Sequence, residues 1–259
     1  MARRWIYNVS ADWLEARKSY LTATDIAGLL PAWKRYLKSK DPKKDEKIIP
    51  EFAALWASKC STVEVDTEAP SSAAARGHIM EPWAIESWNA QADPKMHHWD
   101  DCVIHNGILG FSPDAMTIAQ LDSRCELGVK EYPWLRNADE IMEIKCYENA
   151  NHMKAVIEDR MEHKELMQVA MAFCVLPNLK KARILWFNPD APISMHTEVY
   201  DADDLHDQCR WITEIAEEYI KQRDKCRKIP HNLKAQCTEK EVWDAYVREM
   251  SNNGFTLKG

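Results

Sequence analysis

The chain has 259 residues and a mass of 30.0 kDa, is 46% hydrophobic and 29% charged, and carries a net charge of −7. That length supports one large folded domain with a sizeable core, and the composition excludes a disordered or fibrous chain. No apolar run approaches the roughly 20 residues that span a bilayer, and Arg3 and Arg4 are not followed by the apolar stretch of a secretory leader.

In chain order, Ser10 is placed to cap a helix over 11–20, and a second helix starts at Thr22–Thr24. Pro50 opens a third helix. Residues 62–73 read as a loop, and helical pattern resumes over 76–91 with a bend expected at Pro82. The texture then changes. Over 101–118 two short apolar runs flank His105-Asn106-Gly107, and Asn-Gly between such runs signals a hairpin. An excursion containing Pro133 follows. Residues 140–147 (EIMEIKCY) predict a strand, followed by helices over about 148–159 and 162–175. ARILWFN and ISMHTEVYD predict two more strands, and 203–226 a long amphipathic helix. Thr238 and Glu241 form a capping box for a last helix. Helices, then strands with helices inserted, then helices again, describe a single α/β domain with a mixed sheet.

The eight cysteines include no CxxC pair, the usage of reduced thiols in a cytosolic protein. The nine histidines show neither HxH nor HxxxH spacing, which argues against a zinc enzyme. A net charge of −7 also counts against nucleic acid, whose phosphates are met by Lys and Arg. The charge is uneven, however: residues 34–47 hold six Lys and one Arg against three acids, and 221–234 is basic as well. A solvated face is the ordinary reading of one such run. An acidic chain with basic stripes also suits a nuclease with a positive DNA channel, for which Lys34, Arg35 and Lys38 are the candidates.

The chemistry concentrates on the strand 140–147. Side chains alternate along a strand, so Ile141, Glu143 and Lys145 share one face and Met142, Ile144 and Cys146 the other. The second face is apolar and seeks a core; the first sets an acid beside a base. Asp114 lies 29 positions before Glu143, in GFSPDA, where Pro113 stops a strand ladder. Two carboxylates converging at strand ends make a hard-oxygen site suited to Mg²⁺. Lys145 beside it would position a water or help deprotonate it. A lone E-x-K is ordinarily a surface ion pair; the upstream acid in strand context is what changes the reading. Glu81 is a third acid, flanked by Met80, Trp83, Ile85 and Trp88. If it faces inward, it has to be paired or bind metal.

The ordered set of elements resembles the lambda-exonuclease family, also called YqaJ-type viral recombinases. The opening segment reads Trp13-x3-Arg17-x4-Thr22-Ala23-Thr24-Asp25-Ile26. Gly77-x3-Glu81, Ser112-Pro113-Asp114, Glu143-Ile144-Lys145-Cys146 and Met167-Gln168-Val169 follow in order, so that the resemblance covers residues 13–170. It implies a PD-(D/E)XK, restriction-endonuclease-like core with a central mixed β-sheet flanked by helices and with helical N- and C-terminal additions. The motif-bearing core would run over about 13–200 and a helical extension over about 201–259.

For the site, the resemblance implies that Asp114, Glu143 and the Ile144 carbonyl bind the first of one or two Mg²⁺ (or Mn²⁺) ions. Glu81 would be an outer or second-metal acid and Lys145 the water-positioning lysine. Arg17, Thr24, Ser112 and Gln168 would cradle a terminal 5′ phosphate. The implied activity is 5′→3′ degradation of one strand of linear double-stranded DNA, in a cytoplasmic, phage-type recombination setting. A homotrimeric ring and a single-strand annealing protein are the implied partners. One departure stands out: the family's apolar wedge falls near Ala74, a poor wedge. Two other readings stay open here: a different nuclease of the same fold, such as an endonuclease or end processor, and a non-catalytic DNA-binding module on that fold.

Overall fold

The computed structural model describes residues 17–60, 72–98, 103–117, 138–158 and 163–229. Most of the expected 11–20 helix, most of the 62–73 loop, the Pro133 excursion and the Thr238–Glu241 capping box lie outside the described residues.

Helix α1 (Ala23–Lys38) starts where its capping box stands: Asp25 N donates to Thr22 Oγ1 at 3.4 Å, and Thr22 N to Asp25 Oδ2 at 2.8 Å. Ile26, Leu29, Leu30 and Trp33 form its buried stripe. Helix α2 (Pro50–Cys60) has proline at its first position. Helix α3 (Ser72–Gln91) is one helical span with Pro82 inside it, so the chain does not leave the helix at the proline.

Strands β2 (Ile104–Asn106) and β3 (Leu109–Phe111) form the expected hairpin. Its break falls later than the sequence suggests. Asn106 pairs with Leu109, so His105 and Asn106 belong to the strand and Gly107-Ile108 make the turn. Gly107 takes φ +61°, a backbone conformation that side chains disfavour. The hairpin is tied to the chain ahead of α1, since Leu21 N donates to Ile108 O at 2.8 Å and Gly110 N to Leu21 O at 2.9 Å. At Gly110 an added Cβ would lie 2.5 Å from Tyr20 Cβ, so this approach requires a residue without a side chain.

The main sheet has the order β1-β4-β5-β6-β7. Its strands are β1 (His97–His98), β4 (Ala115–Met116), β5 (Glu140–Lys145), β6 (Lys181–Phe187) and β7 (Met195–Tyr200). β5 and β6 are parallel and the other neighbours antiparallel. A parallel pair needs a crossover, which helices α4 (Asn149–Glu158) and α5 (His163–Val175) supply. β5 is central and covered on both faces. Ile141 joins a core with residues of α1, α5 and helix α6 (His206–Arg227), whose Ile212, Ile215 and Ala216 are buried there. Met142, Ile144 and Cys146 join a second core with Ala84, Ile85 and Trp88 of α3. The period-2 reading of this strand thus matches its packing. No described helix is long and apolar enough to cross a membrane.

Gly110→Ala should destabilise the fold by about 1–3 kcal/mol, the usual cost of forcing extra atoms into a packed site. Gly107→Ala should cost about 1–2 kcal/mol, because it strains φ without a clash. Urea unfolding of both variants checks this, and a Gly110→Ala midpoint equal to wild type would contradict the close approach to Tyr20.

Candidate active site

β5 brings Glu143 and Lys145 to its α5-facing side, two residues apart. Lys145 Nζ donates to Glu143 Oε1 at 2.7 Å and to Gln168 Oε1 at 2.9 Å. Gln168 Nε2, on α5, donates back to Glu143 Oε1 at 2.8 Å. Acid, ammonium and amide therefore close a ring of three hydrogen bonds. Each partner fixes the orientation of the other two, and the Gln168 amide is oriented by its partners, oxygen toward lysine and nitrogen toward glutamate.

Asp114 arrives from the short link between β3 and β4. Ala115 pairs with Met142 in the antiparallel β4–β5 ladder, so Asp114 comes level with Glu143 as that register continues. Its Oδ2 accepts the Ile144 N–H at 2.7 Å, which fastens the carboxylate to the backbone of β5. Asp114 keeps an accessible edge but is otherwise enclosed. Burial and the charges of Glu143 and Glu81 push its carboxyl well above the usual carboxylate range, against Lys145 and the Ile144 N–H. For Lys145, burial opposes the charged form, but Glu143, Asp114 and Glu165 outweigh it and hold the ammonium above its ordinary range. A lysine held protonated donates to and orients a water. To take a proton from that water, it would first need the surrounding negative charge neutralised.

Glu81 does face inward. Its side chain is 12% exposed, with His78 Nδ1 at 3.5 Å and His98 Nε2 at 3.8 Å. Burial works against its charge, yet hydrogen bonds and charge from the two histidines bring the carboxyl down to about 2. Glu81 therefore remains an anion whose field reaches Asp114.

The donor set bears on a metal. Among the described residues no group of three or more His, Cys, Asp or Glu side chains is arranged to hold an ion. Two hard carboxylates beside backbone would suit an ion such as Mg²⁺, which keeps waters and shares its shell with substrate phosphate.

Of the other residues singled out from sequence, Gln168 is bonded to both Glu143 and Lys145. Ser112 precedes Asp114 by two residues in the same link, Thr24 is exposed in the first turn of α1, and Arg17 stands at the start of the described chain. Lys34 lies over the Trp211 ring at 4.3 Å, Arg35 pairs with Glu51, and Lys38 is exposed at the end of α1. This end of α1 is braced by α6 and α2, whereas the acids lie on β5 and the β3–β4 link. Four residues escaped the sequence reading: His78, His98, Tyr147 and Glu165. The His78-x-x-Glu81 spacing carried a signal, because residues i and i+3 are helical neighbours. Glu165, on α5, accepts the Tyr147 hydroxyl and stands over Lys145 by a fold that local sequence does not announce.

A family model described as "YqaJ-like viral recombinase domain" matches residues 12–175. No curated protein gives a match. Among solved structures, an alkaline exonuclease (LHK-Exo) from Laribacter hongkongensis aligns at TM-score 0.52 and 14% identity, over 85% of this chain and 100% of that one. The same enzyme in complex with dAMP aligns with the same values. The fold is accordingly the PD-(D/E)XK α/β core, a mixed sheet flanked by helices.

A carboxyl whose folded pKa is raised stabilises the fold fully only below its unfolded pKa, and the contribution disappears as pH rises through the folded pKa. At pH 7 an ionised Asp114 in the metal-free protein is therefore a liability. Asp114→Asn should raise the metal-free unfolding temperature by at least about 2–4 °C, the equivalent of about 1 kcal/mol in a chain of this size. The gain should vanish near pH 4. Equal melting of the two proteins at pH 7 in EDTA would show that like-charge crowding at Asp114 is absent.

Proposed function

The chain belongs to the YqaJ-like viral recombinase domain family, and from that membership we propose a Mg²⁺-dependent exonuclease that degrades one strand of linear duplex DNA from its 5′-phosphorylated end. The observation that carries this reading is the Glu143–Lys145–Gln168 ring beside Asp114. It sets two acids and a protonated lysine around one small space, as hydrolysis of a phosphodiester requires.

Asp114, Glu143 and the Ile144 carbonyl would hold Mg²⁺, or Mn²⁺ in its place, with Glu81 as an outer acid. When bound, the ion stabilises charge on the phosphate and leaving oxygen. Lys145 Nζ directs a water toward the phosphorus. Gln168 keeps the ammonium and the Glu143 carboxylate from rotating away, which preserves near-attack geometry. Arg17 offers a two-pronged contact to a terminal 5′ phosphate, with Thr24 and Ser112 hydroxyls as further donors. Gln168, the fourth residue of that proposed group, is bonded to Glu143 and Lys145.

The reading extends to assembly. A trimeric ring, three times the 30.0 kDa chain, would turn Lys34, Arg35 and Lys38 toward an enclosed duplex through head-to-tail interfaces. It would act in the cytoplasm beside a single-strand annealing protein in phage-type recombination.

Digestion of linear duplexes with and without a 5′ phosphate tests the proposal. With Mg²⁺ the phosphorylated duplex should be consumed, and in EDTA or as a closed circle it should survive. Cutting of closed circles would mean an endonuclease, and no turnover with any divalent ion a binding module. Lys145→Ala and Glu143→Gln should each lose about 10³-fold or more in rate while staying folded, the scale for removing a preorganised charge at the reacting phosphate. Arg17→Ala should lose about 10- to 150-fold of the preference for phosphorylated ends, from roughly 1.5–3 kcal/mol for a charged contact. An unchanged preference would move the end pocket elsewhere.

A further inference from the structure

Residues ahead of α1, the second half of α2, the C-terminal half of α6 and the hairpin turn line an open cavity of about 160 Å³. None of Asp114, Glu143, Lys145, Gln168 or the other 5′-phosphate candidates lines it. Lys18, Lys59, Arg223 and Arg227 do, and no Asp or Glu is among the described lining residues.

The acids stand outside this lining: Asp25 meets Lys59 at 2.9 Å, and Asp224 meets Arg223 at 3.1 Å and Arg227 at 3.9 Å. These contacts hold the cations in place. Lys59, only 15% exposed, also donates to Tyr20 O at 2.7 Å. Trp56 lines the cavity too, and its indole N–H is buried with no acceptor among the described residues. A buried donor left without an acceptor is costly, so such a group ordinarily has one supplied. Tyr219 adds a hydroxyl that burial pushes up to about 12, a donor throughout the neutral range. Cations from three segments thus converge with neutral donors on one concavity.

We propose that this cavity binds a phosphate group at a site separate from the active-site acids. The proposal rests on the nuclease reading only for the source of the phosphate, a strand of substrate DNA or a free mononucleotide. Arg223 and Arg227, one turn apart on α6, present guanidinium groups that match phosphate oxygens.

The test uses the full chain in EDTA, where nothing is hydrolysed, with inorganic phosphate, a 5′-mononucleotide and a single-stranded oligonucleotide as probes. In Arg223→Gln/Arg227→Gln, binding of at least one probe should weaken by about tenfold, and in Arg227→Gln alone it should weaken measurably, while Lys221→Gln, the loss of one positive charge on α6 outside the cavity as in Arg227→Gln, binds as wild type. If only the oligonucleotide weakens, and its salt slope falls by about 0.7 for one lost phosphate contact, the phosphate belongs to a strand. If the mononucleotide or inorganic phosphate weakens as well, the site takes a free phosphate. Unchanged binding of all three probes by a folded double variant would overturn the site, as would an equal loss in Lys221→Gln. Arg227→Gln, at a 59% exposed side chain, carries the test alone if the double variant does not fold. A wild type that hydrolyses no DNA, yet loses phosphate binding in these variants, would remove the nuclease and leave this pocket standing.

Discussion

Strand β5 is buried on both faces yet carries Glu143 and Lys145, and beside it Asp114 and Glu81 add two further negative charges. Charge taken out of water must be compensated locally, and the surrounding structure is organised around that demand. Lys145 offsets Glu143 directly, Gln168 bridges the two, and the Ile144 N–H takes one oxygen of Asp114. His78 and His98 hold Glu81 ionised. Compensation stops short at Asp114, whose carboxyl still resists ionisation. The negative charge gathered there by Glu143 and Glu81 is what opposes ionisation of Asp114.

Topology delivers the compensating groups. Because β5 and β6 run parallel, the chain must cross over between them, and the crossover ends in α5 lying against the face that bears Lys145. Gln168 and Glu165, three residues apart on one side of that helix, consequently meet residues some 20 positions earlier in the chain. The antiparallel β4–β5 pairing does the same for Asp114 from the opposite direction. The other face of β5 is sealed by α3, which buries Ala84, Ile85 and Trp88 and carries Glu81 one turn earlier. Glu143 is thus fixed by sheet register, Glu81 by helix packing and Asp114 by its bond to the Ile144 N–H, which suits chemistry that tolerates little misplacement.

Much of this was legible in the sequence because the decisive signals are local and periodic. Alternation over 140–147 assigned both faces of β5, Thr22–Thr24 announced the start of α1, and Asn106-Gly107 marked the hairpin. The Glu143–Lys145 pairing followed from the same period. What was not legible depends on non-local contact. Nothing near Gln168 says that its amide will close on Glu143 and Lys145 instead of facing outward. Likewise His98 sits 17 positions from Glu81, and only the β1–α3 packing brings them together. At Pro82 the helix continues through the proline.

The net charge of −7 remains to be reconciled with a polyanionic substrate. Summed charge governs long-range repulsion, but salt screens it over about 10 Å, and within that range local composition decides. Glu81, Asp114 and Glu143 lie at or beside β5, where a divalent cation would reverse their sign toward phosphate. Lys34, Arg35 and Lys38 lie toward the end of α1, and four further cations line the cavity between α2 and α6. Lys34 is held there over Trp211, and Arg223 beside Asp224, so these positive groups keep fixed positions at less entropic cost than free side chains would incur. An acidic chain can then hold a phosphate backbone by presenting a few placed cations, and the salt dependence of binding should count those contacts and not the overall charge.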